Sequence, residues 1–422
     1  MERLYNPQSS IDSDTPEQLA AIILGSAKAK SLDGILHDAL RAIRLHLGMD
    51  VAFVSEFADG RRIFRHIDTH LDTPPIQVGC SDPLDESYCQ RVIDGRLPEL
   101  IRNAALVPAA LELPATIALP VGAHMSVPIR LRDGRLFGTF CCFSFTADPT
   151  LQDRDLVMMR VFADFAGQQI DRHLAVERHR NEVRERILSV LQSGMHRIVY
   201  QPIHSFSRQR IVGLEALSRF AAPPPQPPEV WFKEAGEVGL GEHLEIAAVT
   251  AALNDLGRIP SNAYLALNIS PLHVVSGALA GALAGHPLQR IAIEITEYVA
   301  ISNYEDFAAA VAPLRAKGMK LAVDDAGAGY ASFRHILKLK PDTIKLDISI
   351  TRDIDTDRTR RALAAALVRF AQETGSQIVA EGVETRSELA VLRELGIDTA
   401  QGYLLSHPQP LERLSRLFDP TH

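Results

Sequence analysis

The second half of the chain consists of short apolar runs that alternate with stretches of helical spacing. Eight such runs follow residue 196, with the sequences RIVYQPI, GLEALSRF, AYLALNIS, IAIEITE, KLAVDDA, TIKLD, QIVAEGVE and TAQGYLL. Amphipathic segments such as YEDFAAAVAPLRAKG separate most of them. Eight strands with intervening helices predict an α/β fold, a closed TIM-like (β/α)8 barrel that covers residues 196–422.

Nearly every one of these runs carries an acidic or amide side chain at or near its end. In a β/α barrel the carboxyl ends of the strands converge on one face, where the chemistry takes place. A single such residue is usually a surface residue at a strand exit, but chance does not explain the repetition. The residues are Gln201, Glu215 with Arg219, Asn268, Glu294 with Glu297, Asp324 with Asp325, Lys345 with Asp347, Glu381 with Glu384, and Gln401.

So many carboxylates in one barrel mouth are unfavourable unless cations neutralise them. Carboxylate and amide oxygens favour Mg²⁺ or Mn²⁺, and the chain has no Cys/His cluster for zinc. More than four converging carboxylates indicate two ions, which the adjacent Asp324 and Asp325 would both contact. Such a pair activates water and stabilises the leaving oxygen of a phosphodiester. Lys345 would orient or deprotonate that water or neutralise phosphate, or would be a structural ion-paired lysine.

These residues lie in an ordered set of motifs that resembles the EAL-domain family of cyclic di-GMP phosphodiesterases. The motifs cover residues from about 198 to 410 and read YQPI, GLEALSRF, LNIS, EITE, VDDAGAGYAS, IKLD, AEGVET and QGYLLSHP. The family's fold is a modified TIM barrel, and its reaction opens cyclic di-GMP to linear pGpG with two Mg²⁺ or Mn²⁺ ions. The resemblance implies the same substrate, reaction and metals here.

Position by position, the resemblance also implies a role for each polar residue. The metal ligands would be Glu215, Asn268, Glu294, Asp324, Asp325 and Glu381. The catalytic residues would be Lys345, Glu381 and Glu215, with Lys345 beside the attacking water. The substrate contacts would come from Gln201, Arg219, Gln401 and Asp347. Glu297 would anchor the loop after Asp325, and Glu384 would support the site.

One loop departs from the family pattern Asp-Asp-Phe-Gly-Thr-Gly-Tyr-Ser-Ser. Ala326, Ala328 and Ala331 replace Phe, Thr and Ser, while Gly327 and Gly329 keep the turn feasible. In the family this loop is linked to dimer contacts and activation, so the change concerns rate and coupling more than metal binding. A receptor that holds cyclic di-GMP without turning it over is the alternative function. A metal-dependent hydrolase of another phosphodiester is a third.

The first half of the chain predicts an α+β domain with an antiparallel sheet over residues 17–175, after a flexible tail at 1–16. Apolar residues recur at helical spacing from Glu17 to Leu47. DVAFVSEF, HMSVPIRL and RLFGTFCCFSF are predicted strands, the last two joined by a hairpin at RDG. The order of these elements resembles a GAF sensor domain, a family that binds small ligands or chromophores.

No ligand follows for this domain from its sequence. Cys89 and His124 are candidates for redox, chromophore or ligand contacts, but buried structural roles are the preferred interpretation. Residues 151–193 lack proline and predict a long helix, and residues 176–195 are interpreted as a helical linker to the barrel. Its charged middle fits a solvated spacer or a homodimer formed through this helix and the barrel.

The composition argues against a nucleic-acid-binding, membrane-spanning or secreted protein. A formal net charge of −8 argues against a large nucleic-acid partner, because phosphate contacts require an excess of Lys and Arg. No apolar run reaches the roughly 18 residues of a membrane span, and the first residues do not resemble a signal peptide. The four cysteines lack metal-ligand spacing and are interpreted as reduced thiols. These features predict a cytoplasmic signalling enzyme without membrane insertion.

Overall fold

The computed structural model describes residues 31–295, 301, 303–327 and 330–414, without the side chains of 330–333. The chain divides into two compact units between His179 and Arg180. The predicted tail at 1–16 and the first part of the predicted helix at 17–47 lie outside the described residues, as does Glu297. Among the described residues, no helix combines the length and apolar character that a bilayer crossing requires.

The first unit contains a six-stranded antiparallel sheet with the strand order β3-β2-β1-β6-β5-β4. The strands are β1 (Val51–Ala58), β2 (Arg61–Thr69), β3 (Ser81–Pro83), β4 (Leu100–Ile101), β5 (Ala123–Arg130) and β6 (Leu136–Ser144). The helices are α1 (Leu32–Leu47), α2 (Tyr88–Ile93), α3 (Pro108–Leu111) and α4 (Pro114–Ala118). The predicted α+β domain with an antiparallel sheet is confirmed, and its three predicted strands are β1, β5 and β6.

Strand β2 is absent from the prediction, although its hairpin with β1 has a clear local signal. Asp59 and Gly60 join the two strands with φ angles of 52° and 71°. Two successive residues in the left-handed region form the turn that suits a two-residue hairpin, and Asp-Gly is among the sequences that adopt it most readily. The polar residues of RRIFRHIDT conceal the strand that follows.

A single helix, α5 (Asp153–Ser193), spans 41 residues and confirms the long helix predicted for 151–193. Its first part buries Met159, Phe162 and Ile170 in the core of the first unit. Its last part buries Ile187 and Val190 in a separate cluster of the second unit. Helix α5 therefore contributes to the packing of both units.

The second unit is a closed eight-stranded barrel with the order β10-β11-β12-β13-β14-β7-β8-β9, which confirms the predicted TIM-like barrel. The strands are β7 (His196–Ser205), β8 (Arg210–Phe220), β9 (Tyr264–Asn268), β10 (Ile291–Ile295), β11 (Lys320–Ala326), β12 (Thr343–Leu346), β13 (Gln377–Ala380) and β14 (Thr399–Ala400). The helices are α6 (Pro228–Glu237), α7 (Gly241–Asn254), α8 (Pro271–Val275), α9 (Ala278–Ala282), α10 (Tyr304–Ala316), α11 (Tyr330–Leu339), α12 (Ile348–Thr351), α13 (Arg358–Thr374), α14 (Arg386–Glu394) and α15 (Leu411–Leu414).

Strand β7 departs from the simple alternation of strands and helices. It pairs antiparallel with both β8 and β14, whereas the other neighbouring pairs of the barrel are parallel. Gln201 of β7 therefore lies in mid-strand, opposite Glu215 of β8, and not at a carboxyl end. The proline-rich segment APPPQPPE (222–229) does not remain irregular to its end, because α6 begins at Pro228, and proline is favoured in the first turn of a helix.

Candidate active site

Lys345 lies at the centre of the carboxyl-end face of the barrel, on β12, and is 1% exposed. Its Nζ is 2.7 Å from Glu294 Oε2 and 2.8 Å from Glu381 Oε1. The same atom is 3.2 Å from Asp324 Oδ1 and 3.5 Å from Glu215 Oε2. The barrel thus brings together one ammonium group and four carboxylates, which are far apart in the sequence.

The proximity of these charges changes their ionisation. Burial disfavours the ammonium form of Lys345, but the surrounding carboxylates outweigh burial and hold its pKa well above the usual range. Burial and the neighbouring carboxylates raise the pKa of Glu294 and of Glu381, although Lys345 partly opposes the shift. The cluster consequently carries more negative charge than one lysine neutralises, and Glu294 and Glu381 retain protons more readily than exposed glutamates.

Asp324 and Asp325 both reach the site because β11 has an irregular register against β12. Val323 pairs with Ile344 and Ala326 pairs with Leu346, so the two aspartates lie opposite Lys345 alone. A regular strand would direct adjacent side chains to opposite faces. Asp325 has a φ of 55°, and its amide donates to Asp324 Oδ1 at 3.0 Å. This bulge explains why two adjacent acidic residues are useful at one strand end.

Two groups of carboxylates have the geometry of cation sites. Oxygens of Glu215, Glu294 and Asp324 lie within 4.8 Å of one another, and so do oxygens of Asp324, Asp325 and Glu381. Asp324 is shared by both groups. With all five carboxylates ionised, as metal ligands must be, the single ammonium of Lys345 would leave four negative charges, which two divalent cations would balance. The all-oxygen donor set fits Mg²⁺ or Mn²⁺.

Three amide side chains extend this cluster through hydrogen bonds. Asn268 Nδ2 donates to Glu215 Oε1 at 2.9 Å. Gln401 Nε2 donates to Glu215 Oε2 and, at 3.0 Å, to Gln201 Oε1. Gln201 Nε2 in turn donates to the carbonyl of Ser406 at 3.2 Å. Asn268 and Gln401 therefore hold Glu215 in place, and Gln201 supports Gln401.

The remaining predicted residues lie further from the centre. Arg219 is exposed near the end of β8, and its Nη1 donates to the carbonyl of Ser218 at 2.7 Å. Asp347 caps helix α12 by accepting a hydrogen bond from the amide of Ser349 at 2.9 Å. Glu384 is exposed and forms an ion pair with Arg352 at 2.7 Å. The substrate contact predicted for Asp347 and the supporting role predicted for Glu384 stay predictions.

A groove of about 510 Å³ adjoins the cluster and is lined by Arg219, Asn268 and Phe232 of α6. Helix α6 was not recognised as part of the site from the sequence, because its first residues follow a proline-rich loop. The groove is large enough for part of a nucleotide ligand. A further cavity of about 280 Å³, lined by Arg290 and Lys320, lies at the amino ends of the strands and is remote from the carboxylates.

The altered loop after β11 is partly described. Ala326 is 1% exposed and packs in the barrel core. Gly327 has a φ of 108°, and a Cβ there would lie 2.1 Å from Ile350 Cδ1, so this position requires glycine. Ala328 and the side chain of Ala331 lie outside the described residues. The described part of the loop leaves both groups of carboxylates complete.

Comparisons with known proteins agree with this geometry. A model of the EAL domain matches residues 180–408, which is more than half of the chain. The chain belongs to the EAL-domain family. A model of the GAF domain matches residues 31–170, so the first unit is a GAF domain. The two resemblances inferred from the sequence motifs are confirmed.

Two curated relatives are longer proteins that this chain matches over part of their length. The probable cyclic di-GMP phosphodiesterase PdeD of Escherichia coli K12 is 32% identical over 220 residues, which cover 50% of this chain and 41% of PdeD. The cyclic di-GMP phosphodiesterase NbdA of Pseudomonas aeruginosa is 29% identical over 245 residues, or 55% of this chain and 31% of NbdA. The chain thus spans less than half the length of these relatives.

Solved EAL structures support the fold. The PaMucR phosphodiesterase in complex with c-di-GMP has a TM-score of 0.51 and 25% identity, and the match covers 55% of this chain and 99% of that one. The EAL enzyme Bd1971 has a TM-score of 0.54 and 18% identity, with 88% of this chain and 93% of that chain covered. At that identity the second comparison supports the fold alone.

We expect metal binding to release protons. Metal ligands must be ionised, whereas burial and like charges raise the pKa of Glu294 and Glu381 in the metal-free protein. Affinity for Mn²⁺ should therefore keep rising with pH above the range in which an ordinary glutamate ionises. Calorimetric titrations in two buffers of different ionisation enthalpy would measure the protons released. Glu373→Gln, at an exposed position of α13, should leave the number of released protons unchanged. An affinity independent of pH would contradict the expectation.

Proposed function

We propose that this chain is a two-metal phosphodiesterase that hydrolyses cyclic di-GMP to linear pGpG and is regulated by its GAF domain. The observation that carries the proposal is the pair of carboxylate groups that share Asp324 and surround Lys345. Within the described residues, the five carboxylates expected from the family motifs converge on this cluster, and Asn268 lies beside Glu215, to which its amide nitrogen donates. Mg²⁺ or Mn²⁺ would be the cofactor.

The relatives support the substrate. Both PdeD and NbdA are described as cyclic di-GMP phosphodiesterases, the former as a probable one. The PaMucR phosphodiesterase was solved with c-di-GMP bound. We extend this substrate to the present chain because its groove is lined by Arg219 and by Asn268, and Asn268 is hydrogen-bonded to Glu215 of the carboxylate cluster.

Different residues would bind the metals, orient the water and contact the substrate. Glu215, Asn268, Glu294, Asp324, Asp325 and Glu381 would hold the two cations. When bound, divalent cations activate water and neutralise charge on a phosphodiester. The ammonium of Lys345, held in place by carboxylates, would orient the attacking water and attract the phosphate. Arg219 would bind the phosphate, and Phe232 would contact a base in the groove.

The alternative is a receptor that binds cyclic di-GMP without turnover, and the altered loop is the observation that favours it. Ala326 is buried in the core, so a phenylalanine there would require the surrounding side chains to repack. A receptor that evolved from an enzyme would ordinarily have lost a metal ligand or the lysine. Because this chain keeps them, we favour the enzyme.

The proposal is tested by turnover of cyclic di-GMP with the full chain. We expect linear pGpG with Mg²⁺ or Mn²⁺, none with EDTA, and none from Glu215→Ala under any condition. Binding of cyclic di-GMP by the unmodified chain without metal-dependent product would support the receptor and reject the enzyme. Product from Glu215→Ala at the unmodified rate would reject the assigned site.

Replacing Arg219 with alanine should weaken substrate binding more than it slows chemistry. Arg219 lines the groove and is exposed, so its loss removes a phosphate contact without disturbing the core. We expect KM to rise by about tenfold, since a charged hydrogen bond contributes roughly 1.5 kcal/mol or more. Arg197→Ala, at the exposed position opposite Arg219 on β7, is the matched control and should leave KM unchanged. Equal effects of the two changes would exclude a specific role for Arg219.

The domain limits and the assembly are also proposals. We propose a tail at 1–16, a sensor at 17–175, a linker at 176–195 and a barrel at 196–422. A homodimer through the linker helix and the barrel would transmit the state of the sensor. Removal of residues 1–175 should then change both the rate and the oligomeric state, as measured by turnover and analytical ultracentrifugation.

A further inference from the structure

The GAF domain contains a buried polar cluster that no step of the barrel chemistry uses. Cys89 of α2 and Cys141 of β6 are both fully buried, and their sulfur atoms are 3.5 Å apart. Arg62 of β2 is 4% exposed and directs Nη1 to Cys89 Sγ at 3.3 Å. Arg62 also donates from Nε to Asp82 Oδ1 at 3.0 Å. A guanidinium is rarely buried without anionic partners. Asp82 is one such partner of Arg62, and a thiolate at Cys89 would be a second.

Hydroxyl groups hold the second thiol. Ser126 Oγ lies 3.1 Å from Cys141 Sγ, and Cys141 Sγ lies 3.1 Å from Thr139 Oγ1. Ser55 and Thr139 form a hydrogen bond of 2.8 Å. The register of the sheet produces this arrangement, because Ser126 lies opposite Cys141 and Ser55 lies opposite Thr139. The cluster is therefore fixed on one face of the sheet, beside helix α2.

The two thiols differ in their ionisation. Burial disfavours a thiolate at Cys89, but the hydrogen bond with Cys141 and the charge of Arg62 outweigh burial and lower the pKa of Cys89. Burial and the neighbouring Cys89 raise the pKa of Cys141 well above its usual range. The surroundings thus favour the thiolate at Cys89 and the protonated thiol at Cys141, whose sulfur is in contact with it.

A small cavity lies next to Arg62 and indicates the size of a reactant. It measures about 20 Å³, and its walls include Arg62, Tyr88 and His124. His124 is 2% exposed, and its Nδ1 has no hydrogen-bond partner among the described residues. A cavity of this size holds a molecule little larger than water. Hydrogen peroxide is of suitable size for it, and Arg62 contacts both this cavity and Cys89 Sγ.

We propose that Cys89 and Cys141 are a redox pair, which hydrogen peroxide converts into an intramolecular disulfide within the GAF domain. The Cys89 thiolate attacks one peroxide oxygen, the O–O bond breaks, and a sulfenic acid and hydroxide are formed. The Cys141 sulfur then attacks the Cys89 sulfur, and the sulfenic hydroxyl leaves with the Cys141 proton as water. The two thiols lose two electrons, which the peroxide gains. This proposal does not depend on the activity of the barrel.

The other two cysteines provide internal controls. Cys80 is exposed, so it reports the oxidation of an ordinary accessible thiol. Cys142 is buried on the opposite face of the sheet, where its sulfur lies 3.8 Å from Met159 Sδ. Burial raises the pKa of Cys142, which leaves it as an unreactive thiol. Selective reaction of Cys89 and Cys141 therefore distinguishes the redox pair from general oxidation.

The test uses reduced full-length protein treated with increasing hydrogen peroxide, quenched in acid, alkylated in denaturant and analysed by peptide mass spectrometry. We expect a peptide that links Cys89 to Cys141, reversible by dithiothreitol, while Cys142 remains alkylated. In Cys141→Ser, a sulfenic acid at Cys89 should be trapped by dimedone. If Cys89 and Cys141 of the unmodified protein remain reduced at peroxide concentrations that oxidise Cys80, the proposal is overturned. This outcome does not depend on whether Cys141→Ser folds.

The role of Arg62 is tested by the rate of disulfide formation. Arg62→Met should slow it by roughly tenfold or more at neutral pH, because the fraction of thiolate falls as the pKa rises. Arg61→Met, at the exposed neighbouring position, should leave the rate unchanged. In the unmodified protein the rate should already be near its maximum at pH 7. A rate that instead rises up to about pH 8.5, as for an ordinary thiol, would overturn the assignment.

Discussion

Replacing Lys345 with methionine is expected to destabilise the metal-free barrel and to lower turnover by at least about 100-fold. Lys345 is 1% exposed and lies within 3.5 Å of four carboxylates. Without its ammonium group these buried charges repel one another, which costs about 3 kcal/mol in the free energy of unfolding. For a domain of this size the melting temperature should fall by roughly 6–12 °C in EDTA.

Added Mn²⁺ should restore more stability to Lys345→Met than to the unmodified chain, because divalent cations replace the missing positive charge. Turnover should stay low, since the group that orients the water is still absent. Scanning calorimetry with EDTA or Mn²⁺ and the pGpG assay measure the two effects separately. Lys320→Met, at the exposed first residue of β11, is the matched control and should change neither. An unchanged melting temperature for Lys345→Met in EDTA would show that the carboxylates do not need the ammonium group.

The barrel could be predicted because each strand is a short apolar run with a polar end. β11 is the clearest case, since KLAVDDA was predicted as a strand and Lys320–Ala326 is that strand. The direction of β7 was not predicted, although a signal exists. Only nine residues separate RIVYQPI from GLEALSRF, which is too short for the crossover that parallel strands require. Loop length therefore predicts the antiparallel β7–β8 hairpin better than the apolar pattern does.

The sequence predicts which residues form the carboxylate cluster, but it does not predict how they are arranged around Lys345. A polar residue at a strand end is visible in the sequence, whereas the central position of Lys345 depends on contacts among β8, β10, β11 and β12. The sequence also does not reveal that Asp347 caps α12. An aspartate after a strand can be a helix cap, a substrate contact or both. Sequence spacing orders residues along a strand, but the register between strands determines which of them meet.

The dithiol cluster shows the same limit in the GAF domain. Cys89 resembles a small buried residue near a helix start, and that interpretation describes its burial correctly. Its neighbours Cys141 and Arg62 lie 52 and 27 residues away in the chain, so no local pattern joins the three. A buried arginine on β2 would have been an early indication, but β2 itself was not recognised as a strand.

Asp324 and Asp325 should differ in how many cations they hold, although both are adjacent acidic residues. Asp324 belongs to both carboxylate groups and is 8% exposed, whereas Asp325 belongs to one group and is half-buried. Asp324→Asn is therefore expected to weaken both cation sites and to lower turnover by at least about 1,000-fold. Asp325→Asn should weaken only the site that includes Glu381.

The stoichiometry of bound Mn²⁺ separates the two variants even if neither turns over substrate. We expect two ions in the unmodified chain, one in Asp325→Asn, and no ion held tightly in Asp324→Asn, as counted by electron paramagnetic resonance of free Mn²⁺. Asparagine suits both positions, because it has the shape of aspartate and tolerates the φ of 55° at residue 325. Loss of a single ion from each variant would mean that Asp324 is not shared. Loss of both ions from Asp324→Asn alone would establish that the bulge in β11 lets one strand end serve two cations.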